Sequence, residues 1–118
     1  MKIGFIGLGT MGASLASNLQ KSGLHLIVHD VNEETAGQHL KAGASWADTP
    51  KQLALQSDVI LTSLPGPPEI EEVYLKAGTG LIEGLKKDQV CFDLSTNSPS
   101  LIRHIHDEFG KKGVHVLD

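Results

Sequence analysis

The sequence is poor in several things that would each point to a class of function. It has one cysteine, Cys91, in an apolar run, so no disulfide framework is available, and the residue reads as a buried spacer in a reducing compartment. No apolar stretch approaches membrane-spanning length. No basic run is present either: 10 Lys and Arg stand against 14 Asp and Glu, a net charge of −4. Nothing therefore favours nucleic acid or an anionic membrane surface as a partner. A strand pattern begins at Lys2, which leaves no room for a signal peptide. The expected location is cytoplasmic, or elsewhere by import after loss of a presequence. What remains is 118 residues, 40% hydrophobic and 20% charged, enough for one globular domain with its own core.

Strand-like and helix-like patterns alternate along the chain. Lys2 to Ile6 reads as a strand and Met11 to Ser22 as a helix, with Gly23 as its C-cap. A second strand covers Leu24 to His29, and Asn32 caps a helix that runs to Lys41 and stops at Gly43. A short strand around Ser45 to Ala47 precedes Thr49-Pro50-Lys51-Gln52. There Thr49 is a cap, Pro50 suits the first helical position and Gln52 completes a capping box. Asp58 to Leu64 is almost wholly apolar, as in parallel sheets covered on both faces. Gly66-Pro67-Pro68 turns the chain into a short helix, Glu69 to Leu75, and a Gly-rich stretch leads to a fifth strand, Gln89 to Leu94. Ser98-Pro99 opens a last helix with Leu101, Ile102, Ile105 and Phe109 on one face; Gly113 ends it, and Val114 to Leu117 is a sixth strand. The alternation implies an α/β fold, a doubly wound parallel sheet in a single domain. The expected strand order is 3-2-1-4-5-6, with the ligand crevice between strands 1 and 4.

The chemistry is concentrated where the first strand ends. Gly7-Leu8-Gly9-Thr10-Met11-Gly12 follows an apolar strand and opens a helix, and Asp30 comes 18 residues after Gly12 at the end of the second strand. A glycine triplet alone is a weak signal. Strand, triplet, helix, strand and acidic residue within 30 residues form the dinucleotide-binding fingerprint of Rossmann-type folds. Gly7 allows a tight turn, Gly9 lets the backbone approach a pyrophosphate, and Gly12 lets the helix lie close to the sheet. The helix N-terminus then offers unpaired N–H groups and a positive dipole end to the phosphates. Asp30 can accept both ribose hydroxyls of NAD and repel the 2′-phosphate of NADP, and no arginine lies beside it. NAD is the expected cofactor and NADP is disfavoured. A surface aspartate that merely ends a strand is the alternative.

Gly7 to Gly12, Asn18-Leu19 with Lys21 and Gly23, Leu64-Pro65, Gly80-Leu81-Ile82-Glu83-Gly84, Asp93-Leu94-Ser95-Thr96 with Pro99, and Leu117-Asp118 occur in one order. That series resembles the β-hydroxyacid dehydrogenases, which include 3-hydroxyisobutyrate dehydrogenase, tartronate semialdehyde reductase and, more distantly, 6-phosphogluconate dehydrogenase. The resemblance spans the whole chain. It implies contacts of Leu64 and Pro65 with the cofactor, a weaker one at Glu69, Met11 over the dinucleotide, Thr96 near the nicotinamide ribose and Ser95 near substrate. Each has a plainer alternative: Pro65 ends a strand, Met11 suits a core, and loop hydroxyls are common caps. Leu15 departs from a frequent methionine, a swap of similar volume.

In this family the final aspartate begins an Asp-Ala-Pro-Val-Ser-Gly-Gly segment, and a helical domain with the catalytic lysine follows. The expectation is therefore that residues 1–118 are the NAD-binding domain of a 3-hydroxyacid dehydrogenase, with no catalytic residue of their own. The complete enzyme would transfer hydride between a short 3-hydroxy acid and NAD, and would form a homo-oligomer largely through the other domain. A stand-alone, non-catalytic dinucleotide-binding module is the competing reading. The six histidines give no metal site: His104 and His106 are two apart on a helix and point to different faces. His25 and His29 lie at strand ends roughly 13 Å apart. The glycine loop lacks the Gly-Lys-Ser/Thr of a P-loop, and no nucleophile elbow is present.

Overall fold

The computed structural model describes residues 1–118. In chain order the elements are β1 (Lys2–Ile6), α1 (Thr10–Lys21), β2 (His25–His29), a 3-10 turn (Glu33–Ala36) running into α2 (Gly37–Lys41), β3 (Ser45–Trp46), α3 (Pro50–Gln56) and β4 (Val59–Thr62). Then follow α4 (Pro67–Leu75), a second 3-10 turn (Leu81–Glu83), β5 (Val90–Asp93), α5 (Pro99–Gly110) and β6 (His115–Leu117). The strands form one sheet in the order β3-β2-β1-β4-β5-β6, and every pairing is parallel. The order reverses beside β1, so the chain leaves β1 and β4 in opposite directions and a crevice opens at their carboxyl ends.

Period-two alternation sorts the strand side chains between two layers. Ile6, Ile27, Ile60, Cys91 and Val116 face one side and pack with Leu53 of α3, Ile70 and Tyr74 of α4, and Ile105 and Phe109 of α5. Phe5, Leu26 and Val28 face the other side and pack with Ala16 of α1 and Ala36, with Leu15, Leu19 and Leu40 at the margin. On that second face Phe92 of β5 and Leu117 of β6 stay exposed. Cys91 is fully buried, and burial pushes its thiol up to about 12, in keeping with a spacer role. No helix is long and apolar enough to cross a membrane.

Local chemistry explains both the expected elements and the departures from them. Ser98 caps α5 by accepting the Leu101 N–H, at 3.1 Å. Thr49 caps α3 by accepting the Gln52 N–H, at 3.1 Å, but Gln52 Oε1 returns to the Asp48 N–H rather than to that of Thr49. The helix expected from Asn32 to Lys41 is divided. Asn32 takes the Thr35 N–H on its carbonyl and the Glu34 N–H on its side chain, which winds the first turn tightly, and the poor helix former Gly37 stands at the junction. The strands β4 and β5 are shorter than their apolar runs, because Leu64 and Leu94 leave the sheet to border the crevice.

His39 has no exposed surface, and its ring is held by glutamines: Nδ1 donates to Gln20 Oε1 at 3.1 Å while Nε2 lies 3.4 Å from Gln38 Nε2. Burial lowers its pKa from the ordinary 6.5. The unfolded chain thus binds a proton there more readily than the folded one. His39 adds stability above its ordinary pKa, and that contribution is lost as pH falls below it. Thermal melts between about pH 8 and 5 should show the wild-type midpoint falling more steeply with acid than that of His39→Gln. Parallel slopes would rule His39 out as the source.

Candidate functional site

Three glycines shape the turn from β1 into α1, each for a different reason. Gly7 has φ +99°, which side-chain-bearing residues rarely adopt, and a Cβ there would lie 2.0 Å from the Ser63 carbonyl oxygen. A Cβ on Gly12 would lie 1.9 Å from the Gly7 oxygen, so a side chain would push α1 off the strand end. A Cβ on Gly9 would meet nothing within 4 Å. Its missing side chain leaves open space at the mouth of the crevice, where a ligand could approach the backbone. No side chain caps α1 and no acidic residue lies in its first turn. Its leading N–H groups, from Thr10, Met11 and Gly12, have no intrahelical acceptor, and these three residues line the crevice, a setting that could receive an anion.

Asp30 stands at the end of β2, half-buried, with both oxygens engaged. Oδ2 accepts the Leu8 N–H at 2.7 Å and Oδ1 accepts the Asn32 N–H at 3.0 Å. Each oxygen keeps a lone pair for a further donor, such as a ribose hydroxyl. The same contact ties the glycine loop to β2. Across the crevice, Leu64 and Pro65 follow β4, Glu69 and Val73 project from α4, and Leu94, Ser95 and Thr96 follow β5. The Leu64 N–H donates to Ser95 Oγ at 2.7 Å, so the two loops are joined.

These residues enclose one cleft of about 510 Å³, within the range of small-molecule and cofactor sites. Gly7, Gly9, Thr10, Met11, Gly12, Asp30, Leu64, Pro65, Glu69, Ser95 and Thr96 all line it. Leu8 does not: its side chain is buried in the α1-side core, and only its backbone serves the site. Met11 is 65% exposed at the rim, so it is no core residue. Sequence reasoning passed over His29, Val31 and Thr35, which also line the cleft. His29 had a signal, its place next to Asp30. Its Nδ1 lies 2.8 Å from the Ala47 carbonyl, which can only accept, so Nδ1 carries the proton. No Lys or Arg lines the cleft, and nowhere are three or more His, Cys, Asp or Glu gathered as a metal set.

Comparison with known proteins agrees with this geometry. The family described as the NAD binding domain of 6-phosphogluconate dehydrogenase matches residues 2–118. An uncharacterized oxidoreductase of Bacillus subtilis, YkwC, is 40% identical over 116 residues, covering 98% of this chain and 40% of that protein. Mouse mitochondrial 3-hydroxyisobutyrate dehydrogenase is 37% identical over 116 residues, covering 98% of this chain and 34% of the enzyme. The solved structure of Psf3 in complex with NADP+ and 2-OPP superposes with a TM-score of 0.92 at 29% identity, over 97% of this chain and 40% of that one.

The glycine geometry separates binding from folding. Gly9→Val should keep its circular dichroism spectrum, because a Cβ there meets no protein atom within 4 Å, yet lose measurable NADH binding in a fluorescence titration. Gly12→Val should instead fold poorly, since a side chain there collides with backbone. Normal NADH binding by a folded Gly9→Val would move the phosphate site elsewhere.

Proposed function

Since the chain belongs to the family of NAD-binding domains typified by 6-phosphogluconate dehydrogenase, we propose that it is the cofactor domain of a 3-hydroxyisobutyrate dehydrogenase-like oxidoreductase. The chain spans 40% of the YkwC protein and 34% of the mouse enzyme. In the proposed complete enzyme, residues outside this chain bring the substrate, a short 3-hydroxy acid, and a lysine acting as general acid and base. The observation that carries the reading is one cleft in which the open face of Gly9, the uncapped start of α1 and Asp30 converge.

The nicotinamide supplies hydride chemistry when bound; this chain's residues bind and orient. Backbone at Gly9 and Thr10, with the start of α1, holds the pyrophosphate, while the Gly7 and Leu8 N–H groups fix the loop by donating to the His29 carbonyl and to Asp30. Asp30 receives the adenosine ribose hydroxyls, and Met11, Leu64, Pro65 and Glu69 flank the dinucleotide. Thr96 sits by the nicotinamide ribose and Ser95 toward substrate. NAD is favoured over NADP because Asp30 would repel a 2′-phosphate and no cation lines the cleft. Psf3 binds NADP+, so both cofactors belong in the test. The proposed location is cytoplasmic or an organelle interior, the mouse relative being mitochondrial. Homo-oligomerisation would run through the rest of the enzyme. A free-standing binding module would present the same cleft, and the coding sequence after Asp118 distinguishes the two.

Calorimetric titration should give tighter binding of NAD than of NADP. Asp30→Ala should weaken NAD by about 1.5–3 kcal/mol, the range for hydrogen bonds to a charged group, and narrow the discrimination. Equal wild-type affinities would overturn the NAD preference. This chain alone should bind cofactor and turn over nothing, because no lysine lines the cleft and a general acid or base contributes ~10²–10⁴ in rate. NADH formation followed with 3-hydroxyisobutyrate, glycerate and serine at high protein concentration checks this, and clear turnover would relocate the chemistry to these 118 residues.

A further inference from the structure

Beneath the ends of β4 and β5 runs a buried polar chain that lies outside the cleft wall. Tyr74 Oη is 2.8 Å from Thr62 Oγ1, and Thr62 Oγ1 is 3.0 Å from Asp93 Oδ1. Thr62 has one hydroxyl hydrogen, and the carboxylate takes it, so Tyr74 donates to Thr62. Burial raises the Tyr74 pKa well above its usual range, with the nearby Cys91 and Asp93 adding to the rise and the Thr62 hydrogen bond opposing it. The phenol therefore keeps the proton it donates.

Asp93 is 3% exposed and has two more partners, both from the loop after β5. The Ser95 N–H donates to Oδ1 at 3.0 Å, and Asn97 Nδ2 donates to Oδ2 at 3.0 Å. Asn97 Oδ1 in turn accepts the Ser98 N–H at 2.8 Å, which ties the loop to the cap of α5. No buried side-chain polar atom is left without a partner. A buried carboxylate is costly unless it is fully hydrogen-bonded. This one is satisfied by a hydroxyl from β4 and by the two residues that flank Thr96.

The geometry points to Asp93 as the positioning residue for the nicotinamide half of the site, an inference that rests on the dinucleotide reading above. Asp30 marks the adenosine side, at the end of β2. A dinucleotide that crosses the start of α1 from there must lay its other half over the ends of β4 and β5. Thr96 stands there, exposed, on a loop whose neighbours on both sides are held from below by Asp93. The carboxylate touches no ligand, and acts by fixing the loop that does.

Asp93→Asn sets an amide NH2 against that of Asn97, or against the Ser95 N–H and Thr62 hydroxyl if it turns over, so a loop bond is lost either way. The exchanged pair, Asp93→Asn with Asn97→Asp, faces donor to acceptor again, keeps the net charge and leaves an oxygen for the Ser98 N–H. Calorimetry with NADH and with ADP, which lacks the nicotinamide and its ribose, separates loop positioning from general damage. Asp93→Asn should weaken NADH about tenfold and ADP less than about twofold, and the exchanged pair should return NADH to within about threefold of wild type. An unchanged NADH affinity, equal weakening of both ligands, or an exchanged pair no better than the single variant would each overturn the inference. If Asp93→Asn is unfolded by circular dichroism, Asn97→Ala, which removes the loop's ties to Asp93 Oδ2 and to the Ser98 N–H, must show the same NADH-selective loss; equal losses would overturn the inference. A wild-type chain that binds ADP as tightly as NADH would sink the nicotinamide assignment and leave the dinucleotide site standing. A wild type that binds neither would sink the dinucleotide reading itself.

Discussion

The site depends on a close approach of backbone to backbone where β1 ends. Gly7 lies against the Ser63 carbonyl, and Gly12 lies against the carbonyl of Gly7. Together they bring the start of α1, the end of β1 and the exit of β4 into one small volume without intervening side chains. Packing of this kind is intolerant, because a side chain at either glycine would run into backbone rather than into a side chain that could turn away. The direction of α1, and hence the aim of its N-terminus, follows from it. Asp30 then adds a second restraint by accepting the Leu8 N–H, which holds the loop from the β2 side.

Electrostatics in the cleft run opposite to the usual picture of an anion site. The lining includes two carboxylates, Asp30 and Glu69, and no Lys or Arg. Positive potential comes only from oriented peptide groups at the head of α1, a short-range source. Such a source favours phosphates placed against the helix end and does little for charge elsewhere. A carboxylate at one end of the cleft therefore shapes what a ligand can carry there, while the anion-accepting groups at the other end are backbone.

Much of this was legible in the sequence because it is local. Apolar runs gave the strands, caps such as Ser98 and Thr49 gave the helix starts, and right-handed crossovers turned the alternation into a strand order. The glycine spacing located the turn, the reasons for Gly7 and Gly12 match the contacts found around them, and the space around Gly9 is open. What could not be read involves residues brought together by the sheet. Thr62 and Asp93 are opposite each other only because β4 pairs with β5 in that register, and Ser95 meets the Leu64 N–H for the same reason. Whether Leu8 faces the cleft or the core depends on the hand of the Gly7 turn, which no spacing rule conveys. The 3-10 turn at Glu33–Ala36 escaped notice because Asn32 signals a helix start without fixing how tightly the first turn winds.

Gly9 bears on how such a site responds to mutation. Its surroundings are empty and its contribution is backbone, so nothing there can be deleted. A survey that trims side chains to alanine would register Asp30 and pass over the proposed phosphate cradle, since peptide N–H groups survive every such change. The cradle is sensitive only to added atoms. Sequence drift around it is therefore constrained by volume rather than by chemistry, and a tolerance map built from losses would leave the most specific part of the molecule blank.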